Sequence, residues 1–154
     1  MAAVSLRSDY SRHVCAPYLG VIRLKVEMEF HTDILGKEKL LTEVAEIISF
    51  FTSIGVNTCH VMLGFGWAIN YYQSNEWSKE EVKLDLLLAF IEKIENATLG
   101  EIGKDDLFIW VSNTEFKLCN DGDIHLLCSN VTEEQEHFLK RWQQKGWNAV
   151  KLSS

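Results

Sequence analysis

Few side chains in this chain have the type and spacing that chemistry requires, and the adjacent pair Cys59-His60 is the first to weigh. A thiol nucleophile needs a base within hydrogen-bonding reach. The surrounding residues favour a strand, where neighbours point to opposite faces, so the pair is not expected to work as a dyad. His125 and Cys128, three apart in another strand-like run, fail on the same ground. Each is expected to be a structural thiol or an imidazole with a satisfied hydrogen bond.

Gly64-Phe65-Gly66 resembles a phosphate cradle only in composition. A cradle leads its backbone N–H groups straight into a helix N-terminus, whereas Gly66 runs into Trp67 and a β-favouring stretch. The sequence patterns of nucleotide-binding, acyl-transfer and zinc-protease sites do not occur. Asp121, Asp123, Glu133 and Glu134 carry oxygens that suit a hard cation, but their spacing is not that of an EF-hand loop. Turn formation accounts for the first two, and the favourable field of a first helical turn accounts for the others. No metal, cofactor or catalytic residue is expected, and the chain does not read as an enzyme.

Contact chemistry is better represented. Tyr71-Tyr72-Gln73-Ser74-Asn75-Glu76 sets two aromatics beside a polar connection, a composition found at binding surfaces as well as in packing. Acids gather at Glu101, Asp105 and Asp106, at Asp121 and Asp123, and at Glu133, Glu134 and Glu136. If the three loops converge, they form a negative patch. The expected partner-binding residues are therefore Tyr71, Tyr72, Glu76, Asp105, Asp106, Asp121, Asp123, Glu133 and Glu134.

The elements that must position these groups are legible in part. Ile22, Leu24, Val26, Met28 and Phe30 alternate with charged residues, the period of a strand with one solvated face. That alternation points to an antiparallel or mixed sheet rather than a parallel one covered on both sides. Lys37 to Ile54 repeats apolar residues at helical spacing and Gly55 follows as a stop. Asn57 to Tyr72 reads as one bent strand or two short ones.

Ser78-Lys79-Glu80-Glu81 has the form of a capping box, with Trp77 and Val82 placed as a hydrophobic staple. It predicts a helix to about Ala97 that turns Leu84, Leu87, Leu88, Ile91 and Ile94 inward and stops at Gly100. Leu107 to Leu118 and Ile124 to Cys128 read as strands joined through Asp121-Gly122, a tight-hairpin pair. With those two residues central, Cys119 would face Ile124 and Cys128 would face Glu115, so no disulfide joins the two cysteines. Thr132-Glu133-Glu134-Gln135 is a second capping box, opening a helix with Phe138, Leu139 and Trp142 inward and Gly146 after it. Asn148 to Leu152 is an expected last edge strand.

At 154 residues the chain suits one core. The expected fold class is α+β: a single domain over residues 19–154 with a mostly antiparallel or mixed sheet and about three amphipathic helices, preceded by an irregular segment, residues 1–18. The longest apolar stretches fall short of the roughly 18 residues a membrane span needs. A net charge of −7 argues against a nucleic-acid surface and favours a basic partner. Cys15, Cys59, Cys119 and Cys128 lack metal or disulfide-framework spacing, so reduced, mostly buried thiols and a cytoplasmic location are expected.

In being small, acidic, single-domain and without catalytic motifs, residues 19–153 resemble the bacterial immunity proteins that neutralise toxin nucleases. The resemblance lies in class features and not in a diagnostic motif. It implies a binding module that occludes a basic toxin domain, with Asp121, Asp123, Glu133 and Tyr71 in the contact. Two other readings stand beside it: a small enzyme or ligand-binding domain with a pocket around His60, Trp67, Tyr71 or His125, and a subunit of a larger assembly.

Overall fold

The computed structural model describes residues 26, 28–64, 71 and 79–152. Among these, seven strands form one antiparallel sheet, accompanied by three α-helices. The strands are β1 (Met28–His31), β2 (Thr58–Leu63), β3 (Glu80–Lys83), β4 (Leu107–Val111), β5 (Thr114–Leu118), β6 (Ile124–Cys128) and β7 (Val150–Lys151). The helices are α1 (Lys37–Ser53), α2 (Leu87–Asn96) and α3 (Glu133–Gln144), and a 3₁₀ turn, Leu84–Leu86, leads into α2. The fold is α+β, with strand order β3-β2-β4-β5-β6-β1-β7.

Each helix joins two strands that run in the same direction: α1 carries the chain from β1 to β2, α2 from β3 to β4, and α3 from β6 to β7. The helices meet the sheet face formed by Phe30, Val61, Ile109, Phe116 and Leu126. Phe116 is the pivot of that contact, edge-on to Phe51 of α1 at 6.3 Å and to Phe138 of α3 at 4.9 Å. Leu40, Val44, Ile47 and Phe51 of α1 are all buried there, as the helical spacing requires. Gly55, at φ +88°, ends α1 as expected, and the Val56 N–H reaches back to the Phe51 carbonyl at 2.9 Å.

Several expectations need correction. The run Leu107 to Leu118 is not one strand but the hairpin β4–β5, because Ser112 adopts a left-handed conformation at φ +53° and turns the chain. The box at Ser78 does not open a helix, since Glu80–Lys83 pairs with β2 and α2 begins only at Leu87. Sheet pairing with a neighbour overrides the local capping pattern there. Leu88, expected inward, is 37% exposed, and Thr98 at φ +56°, not Gly100, makes the left-handed stop after α2. Tyr71 has helical backbone rather than the extended form expected of it; Trp67, Tyr72 and Glu76 lie outside the described residues, as do residues 1–25 and 27, which include most of the first alternating run.

A further correction concerns register. The β5–β6 connection is a three-residue loop, Asn120–Gly122, closed by Cys119 N–H to the Asp123 carbonyl and Gly122 N–H to the Cys119 carbonyl, both at 3.0 Å. Gly122 takes the left-handed position at φ +93°. The pairing thus slides by one residue from the two-residue turn, so Glu115 faces Leu127 and His125 faces Lys117. A one-residue slip decides which side chains share a face. It sets Glu29, His31, His125, Lys117, Glu115 and Trp110 together on the face opposite the helices.

The capping box at Thr132 forms as expected, with the Thr132 N–H donating to Gln135 Oε1 at 2.7 Å. Gln135 is itself fully buried and donates to Thr114 Oγ1 at 2.6 Å, which ties the start of α3 to β5.

Candidate functional site

The three acidic loops do not all converge. The β1–α1 connection, the α2–β4 connection and the β5–β6 turn meet at one end of the sheet: Leu35 N–H donates to the Gly122 carbonyl at 2.8 Å, and Asn120 N–H to Asp106 Oδ1 at 2.8 Å. Glu133 and Glu134 sit at the other end, where Glu134 accepts from Ser112 Oγ at 2.7 Å beside the β4–β5 turn. Two of the three acidic groups therefore come together and the third is remote.

Most carboxylates at the shared end are engaged within the fold. Asp106 is buried and accepts from Asn120, and Asp105 accepts from the Glu101 N–H at 2.7 Å. Glu101 lies within 3.2 Å of Lys104 and 3.4 Å of Lys37. Asp123 is only 7% exposed, while Asp121, in the same turn, faces solvent. Tyr71 packs edge-on against Phe90 at 6.3 Å, and burial together with a hydrogen bond to Glu80 pushes its hydroxyl up to about 12. Its position is one of packing between α2 and β3.

Behind the turn lies a polar cluster that the sequence pattern did not single out. The β1–β6 pairing brings Glu29 and His125 onto one face, and His125 Nδ1 meets Glu29 Oε2 at 2.6 Å. On its other side, His125 Nε2 meets Asp123 Oδ2 at 3.2 Å. Burial opposes charge on this imidazole, but hydrogen bonds with Asp123, Cys119 and Glu29 override it and push the group up to about 12. Burial likewise opposes charge on Asp123, yet His125 holds that carboxyl down to about 2. His31 stacks on His125 with ring centroids 5.4 Å apart and is fixed by its own Nδ1, 2.9 Å from the Thr32 carbonyl.

Two groups of metal-type donors share Asp123. The ligating atoms of His31, Asp123 and His125 lie within 4.8 Å of one another, and so do those of Cys119, Asp121 and Asp123. Without an ion, the arrangement is a doubly paired imidazolium beside a thiol that burial pushes up to about 11. A protonated histidine and a protonated thiol do not make a nucleophile and base. Cys59 fares no better: it is buried and pushed up to about 12, and His60 pairs across to Glu81 at 4.0 Å on the other face of its strand.

Further along the same face, Trp110 Nε1 donates to Glu115 Oε1 at 3.0 Å, and the Lys79 ammonium sits 4.6 Å from the Trp110 ring centroid. Burial lifts the Glu115 carboxyl to about 7, against the Trp110 hydrogen bond and the nearby Lys117.

The helical layer carries a second feature of a different kind. Between α1 and α2 runs an open groove of about 490 Å³ with Leu41, Ala45, Leu88 and Ile91 on its floor and Glu38, Glu92 and Glu95 on its rim. Lys37 joins Glu95 at 3.2 Å and Glu101 at 3.4 Å, so the groove adjoins the end where the loops meet. Leu86, 52% exposed, and Leu88 are apolar side chains that the fold leaves in reach of solvent. The helical spacing of α2 marks Leu88 as inward, so only the position of α1 reveals it.

No helix among the described residues is long and apolar enough to cross a membrane. The chain matches no known family model, and neither curated proteins nor solved structures offer a significant likeness.

Proposed function

We infer that the chain is a protein-binding module whose α1–α2 groove receives a basic, partly apolar segment of a protein partner. The observation that carries this reading is the pairing of an apolar floor, Leu41, Ala45 and Leu88, with a rim of carboxylates from both helices. Interfaces are built this way, with an apolar centre that supplies affinity and a charged rim that selects the partner and speeds encounter. A net charge of −7 extends the same preference to long range. The small, acidic, catalytically plain character of the chain makes an immunity protein, a bacterial cytoplasmic inhibitor of a basic toxin nuclease domain, the form of this function we favour. Asp121 and Asp33, exposed at the adjoining loop end, extend the negative surface beyond the groove.

The test begins with the gene next door. Its product, if it ends in a basic nuclease-like domain, is co-expressed with the full chain, and association is followed at low and high salt. The expected result is rescue from toxicity and an association rate that falls with salt. The double variant Leu88→Lys, Glu92→Lys should lose both while keeping its fold. Equal binding by the double variant, or no protein partner captured at either salt, rejects the groove as the binding surface.

A further inference from the structure

The polar cluster behind the β5–β6 turn has features that internal ion pairing does not use up. Asp123 is more than nine-tenths buried, yet its Oδ1 atom has no hydrogen-bond partner among the described residues. A buried carboxylate oxygen left without a donor is costly unless something positive reaches it. The Cys119 thiol lies against His125 and Asp123 and makes a long contact, 3.8 Å, to the Lys117 carbonyl. Asp121 holds an exposed position in the turn with its carboxyl against that of Asp123, and burial together with that contact raises its pKa.

The histidine is oriented in the way metal-binding histidines are. Its Nδ1 is held by the Glu29 carboxylate at 2.6 Å, which fixes the ring and leaves Nε2 aimed at Asp123 and the turn. A carboxylate behind a histidine is the usual support for a metal ligand, setting its tautomer and raising its basicity. Two neighbouring loops lock the turn in place through the Leu35-to-Gly122 and Asn120-to-Asp106 hydrogen bonds, so the backbone that carries these donors is already formed.

We propose that this turn binds a divalent transition-metal ion of the zinc class, held by Cys119 Sγ, Asp121, Asp123 and His125 Nε2, with Glu29 positioning the histidine. Mixed sulfur, nitrogen and oxygen donors suit zinc or cobalt and not magnesium or calcium, which take oxygen ligands. Tetrahedral zinc places its donors about 3.3–3.8 Å apart at ordinary bond lengths. The proposed donors now fall in two overlapping sets, His125 with Asp123 and Cys119 and Asp121 with Asp123, each within 4.8 Å, and Asp121 is the exposed member free to close on the ion. On binding, the Nε2 proton of His125 and the thiol proton of Cys119 leave to the buffer and the ion takes the proton's place between His125 and Asp123. His31, stacked on the histidine, covers that side of the site.

The proposal is separate from the groove and is tested with the full chain, stripped with a chelator. Zinc chloride is titrated by calorimetry in two buffers of different ionisation enthalpy, and cobalt chloride is followed by absorption. One ion per chain, proton release and a near-ultraviolet thiolate-to-cobalt charge-transfer band are expected. Cys119→Ser should abolish the band. Asp121→Asn, which keeps the shape of the side chain and an acceptor oxygen for the turn, should weaken zinc binding about tenfold or more, and Glu29→Gln by about ten- to a hundredfold. Absence of the band in the wild-type chain overturns the proposal. So does a zinc affinity equal to that of the Cys119→Ser, Asp121→Asn double variant.

Discussion

Arg141 of α3 grips Glu43 of α1 with two nitrogens, Nε at 2.9 Å and Nη2 at 2.7 Å from Glu43 Oε2, across the middle of the helical layer. The carboxylate is 1% exposed and also accepts from Trp142 Nε1 at 2.8 Å. His137 extends the link, with Nε2 at 2.8 Å from Glu46 and its ring stacked on Phe50 at 4.2 Å. Polar groups thus join α1 to α3 where apolar contact alone would leave their relative rotation free.

Breaking this pair from one side should be costly. Arg141→Ala strands a buried carboxylate, and urea unfolding should show a loss of about 3–5 kcal/mol. Replacing both partners, Arg141→Met with Glu43→Leu, should recover most of that loss, apart from about 1 kcal/mol for the Trp142 N–H left without an acceptor. A double variant no more stable than Arg141→Ala would show that the stranded charge is not the source of the penalty.

Glu115 makes the fold sensitive to pH. Its folded value, about 7, lies above the ordinary carboxylate range. Its contribution is therefore fully present below about pH 4.5 and is lost as pH rises through 7. The shift corresponds to roughly 3 kcal/mol between those limits. Glu115→Gln keeps an oxygen for the Trp110 N–H, so melting curves from pH 5 to pH 8 should flatten relative to wild type. An unchanged slope would mean that Glu115 ionises freely in the folded protein.

Gly122 cannot be replaced without strain. At φ +93° an L side chain is disfavoured, and an added Cβ would meet Ile34 Cγ2 at 3.3 Å and the Gly36 backbone nitrogen at 3.6 Å. Gly122→Ala should lower stability by about 1–3 kcal/mol and loosen the contact between the turn and the β1–α1 loop. Faster amide exchange at Leu35, whose N–H donates to the Gly122 carbonyl, is the accompanying sign.

Thr132→Ala removes one half of the capping box at the start of α3. The expected loss is about 1 kcal/mol by thermal or urea unfolding. Gln135→Ala should cost more, because the same side chain also satisfies Thr114 beneath it. Equal losses for the two would mean that the link to β5 carries no stability.

Elements whose cause is local were legible from residues alone: α1 with Gly55, the box at Thr132, and the antiparallel sheet implied by alternation up to Phe30. What was not legible depends on neighbours. Glu80–Lys83 has a respectable helix start before it, but β2 offers it a ladder of hydrogen bonds, and the ladder prevails. Asp121-Gly122 announces a turn without stating its length, and the extra residue, Asn120, moved His125 opposite Lys117. The candidate metal cluster was hidden for that reason, since Glu29 and His125 are 96 residues apart and meet only through the β1–β6 register. Alternation made Glu29 a solvent-facing residue, whereas it is buried. The groove was hidden because it belongs to the spacing between two helices and not to either one.

The outermost strands bear on how copies of this chain meet. Among the described residues the sheet finishes beyond β2 in Glu80–Lys83, which places three charges in four residues, and beyond β1 in the two residues Val150–Lys151. A newcomer strand adding to either margin would find repulsion at the first and almost no length at the second, the usual safeguards against runaway polymerisation. Fibre formation by strand addition is disfavoured at both margins, so association through the helices does not feed it.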